Sequence, residues 1–189
     1  VILSAYKPNK IGYNIIVKLC GGELMIIYHG SNMTVQKPKI LTPNRYLDFG
    51  AGFYTTTNYD QALNFAGKVT VRKKSGRSTV NVYELDESIF DKTKVLNFEC
   101  ADEAWLDFVS DNRSGIDRTA GYDLICGPVA NDDVYQTFIL YSTGVYSKKQ
   151  TIDALKIKKL YNQYVFTSEL ALSFLKFKKT EFGKERFDG

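Results

Sequence analysis

Residues 48–66 read DFGAGFYTTTNYDQALNFA, and the parsing of this stretch decides the fold. Gly50 and Gly52 flank Ala51 just ahead of the apolar pair Phe53 and Tyr54. Glycine permits a positive φ, or a close approach of the backbone to a ligand, because no Cβ stands in the way. The pattern predicts a tight turn, a short strand over Phe53–Thr55 and a helix opening at Asn58 or Tyr59. Asn58 suits the N-cap, Asp60 suits the positive first turn, and Ala62, Phe65 and Ala66 recur on one helical face. Such a turn sets Tyr54 at the mouth of a cleft beside a helix N-terminus. Taken alone, the stretch reads as a plain turn between strand and helix, since a single Gly-x-Gly is weak information.

Working outward, Ile26-Ile27-Tyr28 is a buried-type strand that runs into His29-Gly30-Ser31-Asn32, and His29 is the only histidine in the chain. A histidine at a strand end is most often a hydrogen-bonded structural residue. Here the following glycine also offers exposed backbone to the edge of a flat ligand. Residues 33–47, with Pro38 and Pro43, read as a loop. Downstream, Lys68–Arg77 reads as a strand with a hairpin-like turn and Thr79–Leu85 as a half-buried strand; Ile89–Phe98 is a further strand. Ala101–Asp111 reads as a helix burying Trp105, Phe108 and Val109. Tyr122–Val129 is an apolar run that suits a strand covered on both faces. Asn131-Asp132-Asp133 caps a helix over Val134–Tyr141; a metal role for this acidic run is disfavoured, since no second ligand cluster accompanies it. A helix opening at Ser147 or Thr151, a strand over Leu160–Phe166, and a short helix leading to a last strand near Phe182 complete the pattern. Several strands with few, short helices argue an α+β fold.

The chain has 189 residues, 44% of them hydrophobic and 24% charged, which fits one soluble domain with a sizeable core. No run is apolar enough to cross a bilayer, and residues 1–24 lack the layout of a secretory signal, so a cytoplasmic location is expected. Residues 1–24 form an extension ahead of a domain over 25–189. They are read either as a genuine N-terminal strand, Ile11–Leu19, or as an overrun of the reading frame upstream of Met25. Cys20, Cys100 and Cys126 are widely spaced and suggest neither a disulfide framework nor a zinc site. Residues 148–189 hold 10 Lys and Arg against 5 Asp and Glu, which carries the whole net charge of +4. A solvated basic surface accounts for that excess most simply, and recruitment of an acidic partner such as nucleic acid is the alternative.

Three pieces stand in order: YHGS at 28–31, DFGAGFYTTT with a following QA at 48–62, and LYNQYVF at 160–166. Together they resemble the ADP-ribosyltransferase superfamily in its diphtheria-toxin and poly(ADP-ribose) polymerase branch. The nearest resemblance is to the small bacterial DUF3990 family placed in that superfamily, which shares the segment YDLICGPVANDD. The resemblance implies a split β-sandwich of two small antiparallel sheets with peripheral helices, and NAD as substrate with no metal. It also implies roles for residues. His29 looks like the group that binds the adenosine-side ribose, and Gly30 like the backbone that holds the nicotinamide carboxamide, with Ser31 and Gly52 beside them. Tyr54 resembles the aromatic that stacks on nicotinamide. Gln61 stands near a serine position of the family, and Phe65 offers a second aromatic wall.

One departure matters: Gln163 stands where the polymerase branch has a catalytic glutamate. An amide can orient a ribose hydroxyl, but it cannot stabilise positive charge on the sugar. The expected activity is therefore transfer of single ADP-ribose units, with His29, Tyr54 and Gln163 as the catalytic set. The acceptor is an unspecified protein or nucleic acid, the role that of a toxin or effector, and an antitoxin-like partner belongs with that role. A module that binds NAD or ADP-ribose without turnover is the second expectation, and an inert scaffold the third.

Overall fold

The computed structural model describes residues 24–41, 46–129, 132–156 and 161–187. The expected strand Ile11–Leu19, Cys20 and the Asn131 cap lie outside the described residues. In chain order the elements are β1 (Leu24–Ser31), β2 (Phe53–Thr56), α1 (Tyr59–Lys73), β3 (Gly76–Asp86), α2 (Ile89–Lys92), β4 (Val95–Asn97), α3 (Glu103–Arg113), β5 (Leu124–Pro128), α4 (Asp132–Ser142), α5 (Lys148–Lys156), β6 (Asn162–Phe166), α6 (Glu169–Leu172) and β7 (Leu175–Phe187). The α+β class is as the sequence suggests.

The sheet differs from the expected pair of small antiparallel sheets. One seven-stranded sheet runs β4-β5-β6-β2-β1-β3-β7, and its β4–β5 pair is parallel. The two halves are joined because β2 pairs with β6 over four residues on one side and with β1 at Tyr28↔Thr56 on the other. β4 lies parallel because the chain between it and β5 crosses over through α3, as parallel neighbours require.

Strand alternation sorts the side chains into two cores. Phe53, Phe166 and Leu124 stand in register on one face of β2, β6 and β5. There they join Ile27, Tyr83, Leu85, Ile89 and Leu172 in a single cluster. Tyr54, Val165 and Ile125 occupy the opposite face, where Trp105, Leu106 and Val109 of α3 pack with Phe138 and Leu155. The indole N–H of Trp105 donates to the Pro128 carbonyl at 3.1 Å, which satisfies a buried donor.

Helix α1 opens as expected: Asn58 accepts from the Gln61 amide at 2.8 Å. It then runs on to Lys73, through residues expected to form a strand. The β-branched run Val69-Thr70-Val71 favours extended chain locally, but Val69 and Thr70 continue the buried face begun by Ala62 and Ala66. The Thr70 hydroxyl returns a hydrogen bond to the Ala66 carbonyl at 2.9 Å. Lys74 ends the helix with φ 48°. The expected strand over Ile89–Phe98 is instead α2 followed by the three-residue β4, because the Asp86 carboxylate accepts from the Ser88 amide at 2.9 Å and turns the chain.

The close packing of α1 on the sheet rests on Gly30. A Cβ there would lie 2.1 Å from the Ala62 carbonyl oxygen and 2.9 Å from the Ala66 nitrogen. Gly30→Ala must lift the helix or bend the strand, and should cost about 1–3 kcal/mol in urea unfolding. Gly121 has φ +92° with nothing within 4 Å of an added Cβ. Gly121→Ala should therefore cost only the backbone strain of about 1 kcal/mol. An equal loss in both variants would show that space at Gly30 is not the constraint.

Candidate functional site

Most of the predicted residues lie near the point where β1 and β2 part company, but not all on one face of the sheet. Tyr28 pairs with Thr56, its ring meeting Tyr59 of α1 edge-on at 5.5 Å. Past that pair the strands diverge, and the Tyr54 carbonyl is met by a side chain: His29 Nδ1 lies 2.7 Å from it. Since a carbonyl only accepts, Nδ1 carries the proton, and Nε2 is left as an acceptor. The His29 ring lies against Phe53, with centroids 4.4 Å apart. Burial pushes the His29 pKa down, and the hydrogen bond to Tyr54 opposes this only in part.

Tyr54 points to the other face. Its hydroxyl donates to the Gly50 carbonyl at 2.7 Å and accepts from the Phe49 amide at 3.2 Å, which folds the ring back over its own turn. That turn holds by two different uses of glycine. Gly50 has φ +68°, whereas Gly52 has no positive φ and serves by leaving space, since a Cβ there would lie 2.6 Å from Val165 Cγ1. An ion pair strengthens the support: Arg113 Nε donates to Asp48 at 2.5 Å, while its guanidinium sits 4.4 Å from the Phe138 ring centre.

Gln163 pairs with Thr56 on one side and Gly127 on the other, so strand alternation places it on the same face as Tyr54. It is 5% exposed, and its Nε2 is buried with no hydrogen-bond partner. Beside it, the Thr56 hydroxyl lies 2.6 Å from Gln61 Oε1 and 3.0 Å from the Asn162 carbonyl, and accepts from the Asn58 amide at 3.1 Å. Gln61 is thus tied to Thr56. Gly30 lies under α1, Ser31 ends β1 half-buried, and Phe65 stands 46% exposed on α1.

The structure therefore brings Tyr54, Gln163, Gln61 and Gly30 to one side of the seam, and turns the His29 ring toward the other. The sequence reading missed Thr56, whose hydroxyl joins β2, β6 and the helix cap. It also missed Asn81, which accepts from the Val35 amide at 2.8 Å and donates to the Met33 carbonyl at 3.2 Å. A Thr in a run of three and an Asn inside a strand carry no signal of such roles in one sequence. Concavities of about 390 and 450 Å³ lie elsewhere, beside Glu84 and Phe174 and beside Cys100 and Ile152 respectively. Among the described residues no group of three His, Cys, Asp or Glu is placed to hold a metal. Cys100 is exposed and Cys126 buried, both free. No helix among the described residues is long and apolar enough to cross a membrane.

These features define an α+β domain with a nearly divided sheet and a buried amide at the division. The family model described as protein of unknown function (DUF3990) matches residues 25–177, and the chain belongs to that family. No curated protein and no solved structure matches the chain.

The single histidine gives the site a pH signature. With its folded pKa below the ordinary 6.5, the unfolded chain binds more protons than the folded one as pH falls through that value. His29 stability is complete above 6.5 and declines below it. Urea unfolding of wild type should weaken as pH drops from neutral toward the depressed value, and His29→Gln should flatten that decline. A parallel pH slope in the two proteins would place the titration elsewhere.

Proposed function

We propose that the chain is a mono-ADP-ribosyltransferase that uses NAD as substrate to modify a macromolecular target, in keeping with a toxin or effector role. The observation that carries this reading is Gln163: a strand amide, 5% exposed, with Nε2 buried and unpartnered. Leaving such a donor unsatisfied costs about 1–3 kcal/mol, a cost that a ligand hydroxyl would relieve. Supporting it, the motifs at 28–31, 48–62 and 160–166 stand in the superfamily's order. The single pair Tyr28↔Thr56 between the two halves of the sheet also suits a cleft at the diverging ends of β1 and β2.

In this reading a dinucleotide lies across the diverging ends of β1 and β2. His29 Nε2 accepts from the adenosine-side ribose on one face. The nicotinamide stacks between Tyr54 and Phe65 on the other, with the Gly30 backbone fixing its carboxamide. The bond between the nicotinamide nitrogen and the anomeric carbon breaks, and its electron pair leaves with nicotinamide. The acceptor's nucleophile then bonds to the anomeric carbon and releases its proton to solvent. Gln163 orients the ribose through a hydrogen bond but adds no negative charge, so turnover is slower than with a carboxylate by a few kcal/mol of transition-state stabilisation. The cytoplasm, where NAD is plentiful, is the compartment this chemistry suits.

The amide also supports the second reading, a module that holds NAD or ADP-ribose without turnover. Labelled NAD with cell extract separates the two. A transferase labels a target and releases nicotinamide; Gln163→Ala lowers the rate by about 10²–10³ and weakens NAD binding by a smaller factor, and Gln163→Glu holds or raises the rate. A binder releases none but is stabilised thermally by NAD. Tyr54→Ala should weaken binding by about 1–3 kcal/mol, with Tyr54→Phe separating the ring from the hydroxyl that braces the turn. Absence of both label and thermal shift would sink the proposal.

A further inference from the structure

The sheet order leaves two ends, β4 and β7. β4 spans three residues, as an edge strand that avoids stray pairing usually does. β7 spans 13 residues, which at strand rise is about 43 Å of edge. Its inner side pairs with β3, and one face meets α1, where a Cβ on Gly183 would touch Leu63. Among the described residues no strand pairs with its outer side.

The charges on this strand are mostly basic, with Lys176, Lys178, Lys179, Lys184 and Arg186 against Glu181 and Glu185. Lys178 is paired to Glu84 at 2.7 Å and Lys179 to Glu181 at 2.6 Å. Lys176 and Lys184 stand exposed at either end of that stretch. Between them Phe182 is 55% exposed, with the Arg77 guanidinium 4.9 Å from its ring centre. The register with β3 shifts on both sides of Lys179–Phe182 and is regular within it. Lysines and bulges at an edge do guard against self-pairing, but guarding gives no reason for a half-exposed aromatic at the centre. A second copy of β7 would bring the same basic excess against it, whereas an acidic strand would be drawn to the exposed Lys176 and Lys184. The family match stops at residue 177, so most of this edge lies beyond the matched unit.

We propose that the outer edge of β7, centred on Lys179–Phe182, is a docking site at which an extended acidic segment of a protein partner adds a strand to the sheet. Backbone pairing along the edge supplies affinity. Lys176 and Lys184 select acidic side chains, and Phe182 meets an apolar residue between them. The proposal is independent of any activity at the seam.

The probe is a labelled peptide of about ten residues alternating Glu and Val, long enough to follow most of the edge, titrated into the full chain. Controls are the same peptide with two Val replaced by Pro, a Lys/Val version, and a single-stranded oligonucleotide. The Glu/Val peptide should bind, more weakly as salt rises. The Pro version, lacking ladder donors, should bind about tenfold more weakly or not at all. Lys176→Glu with Lys184→Glu, both at exposed positions, should also lose about tenfold. Hydrogen exchange of wild type should slow within residues 179–182 on binding, a readout that needs no variant. Equal binding of the Pro peptide, preference for the oligonucleotide, or no binding at low salt would each overturn the proposal.

Discussion

One backbone pair, Tyr28↔Thr56, joins the two halves of the sheet. On one side lie β1, β3 and β7 with α1; on the other lie β2, β6, β5 and β4 with α3. A backbone hydrogen bond contributes about 1 kcal/mol net, too little to hold two halves in register. Side chains do the rest. Phe53 reaches Tyr83 of the first half at 5.6 Å and Phe166 of the second at 6.5 Å, and such pairs add about 0.5–1.5 kcal/mol each beyond burial. The apolar face thus fastens what the backbone leaves open. The opposite face, relieved of that duty, has room for polar groups at the seam.

The divergence of β1 and β2 explains the histidine. A carbonyl that loses its strand partner in a half-buried place needs a donor, and His29 supplies one to Tyr54. This commits Nδ1 and fixes the tautomer. A sequence shows that a histidine follows a strand, but not which of its nitrogens is already engaged. Gly30 shows the same limit. Its missing Cβ pointed to a close backbone approach, and the approach observed is to the first turns of α1. Need for space was legible, whereas the neighbour that needs it comes from the other end of a loop.

Most strands were legible because their patterns agree with their surroundings. Leu124–Pro128 is apolar throughout and buried throughout, and the cap at Asn58 obeys local chemistry. The misread segments are those where tertiary packing overrides local preference. Val69 and Thr70 favour a strand by shape, but they continue the apolar face of a helix already nucleated and capped. The single sheet was illegible for another reason. Pairing across the seam depends on Thr56, whose hydroxyl reaches Asn162 and the helix start at once, and no periodicity in the sequence records such a contact.

The amide at Gln163 fits this setting better than a carboxylate would in the unliganded chain. Its position, between Thr56 and Gly127 in the middle of the sheet, is 5% exposed. Burial penalises the charged form of an acid and raises its pKa unless a cation or several donors face it. An amide brings no charge into that burial, and its cost is confined to the unpartnered Nε2. Relative to a carboxylate at this position, an amide therefore lowers the cost of burial, and in the proposed reading it gives up the charge that would favour a cation forming there. A ligand bound at the seam, as proposed, would gain from a neutral donor: a hydroxyl or carbonyl oxygen would satisfy Nε2, whereas a bare cation would gain nothing from it.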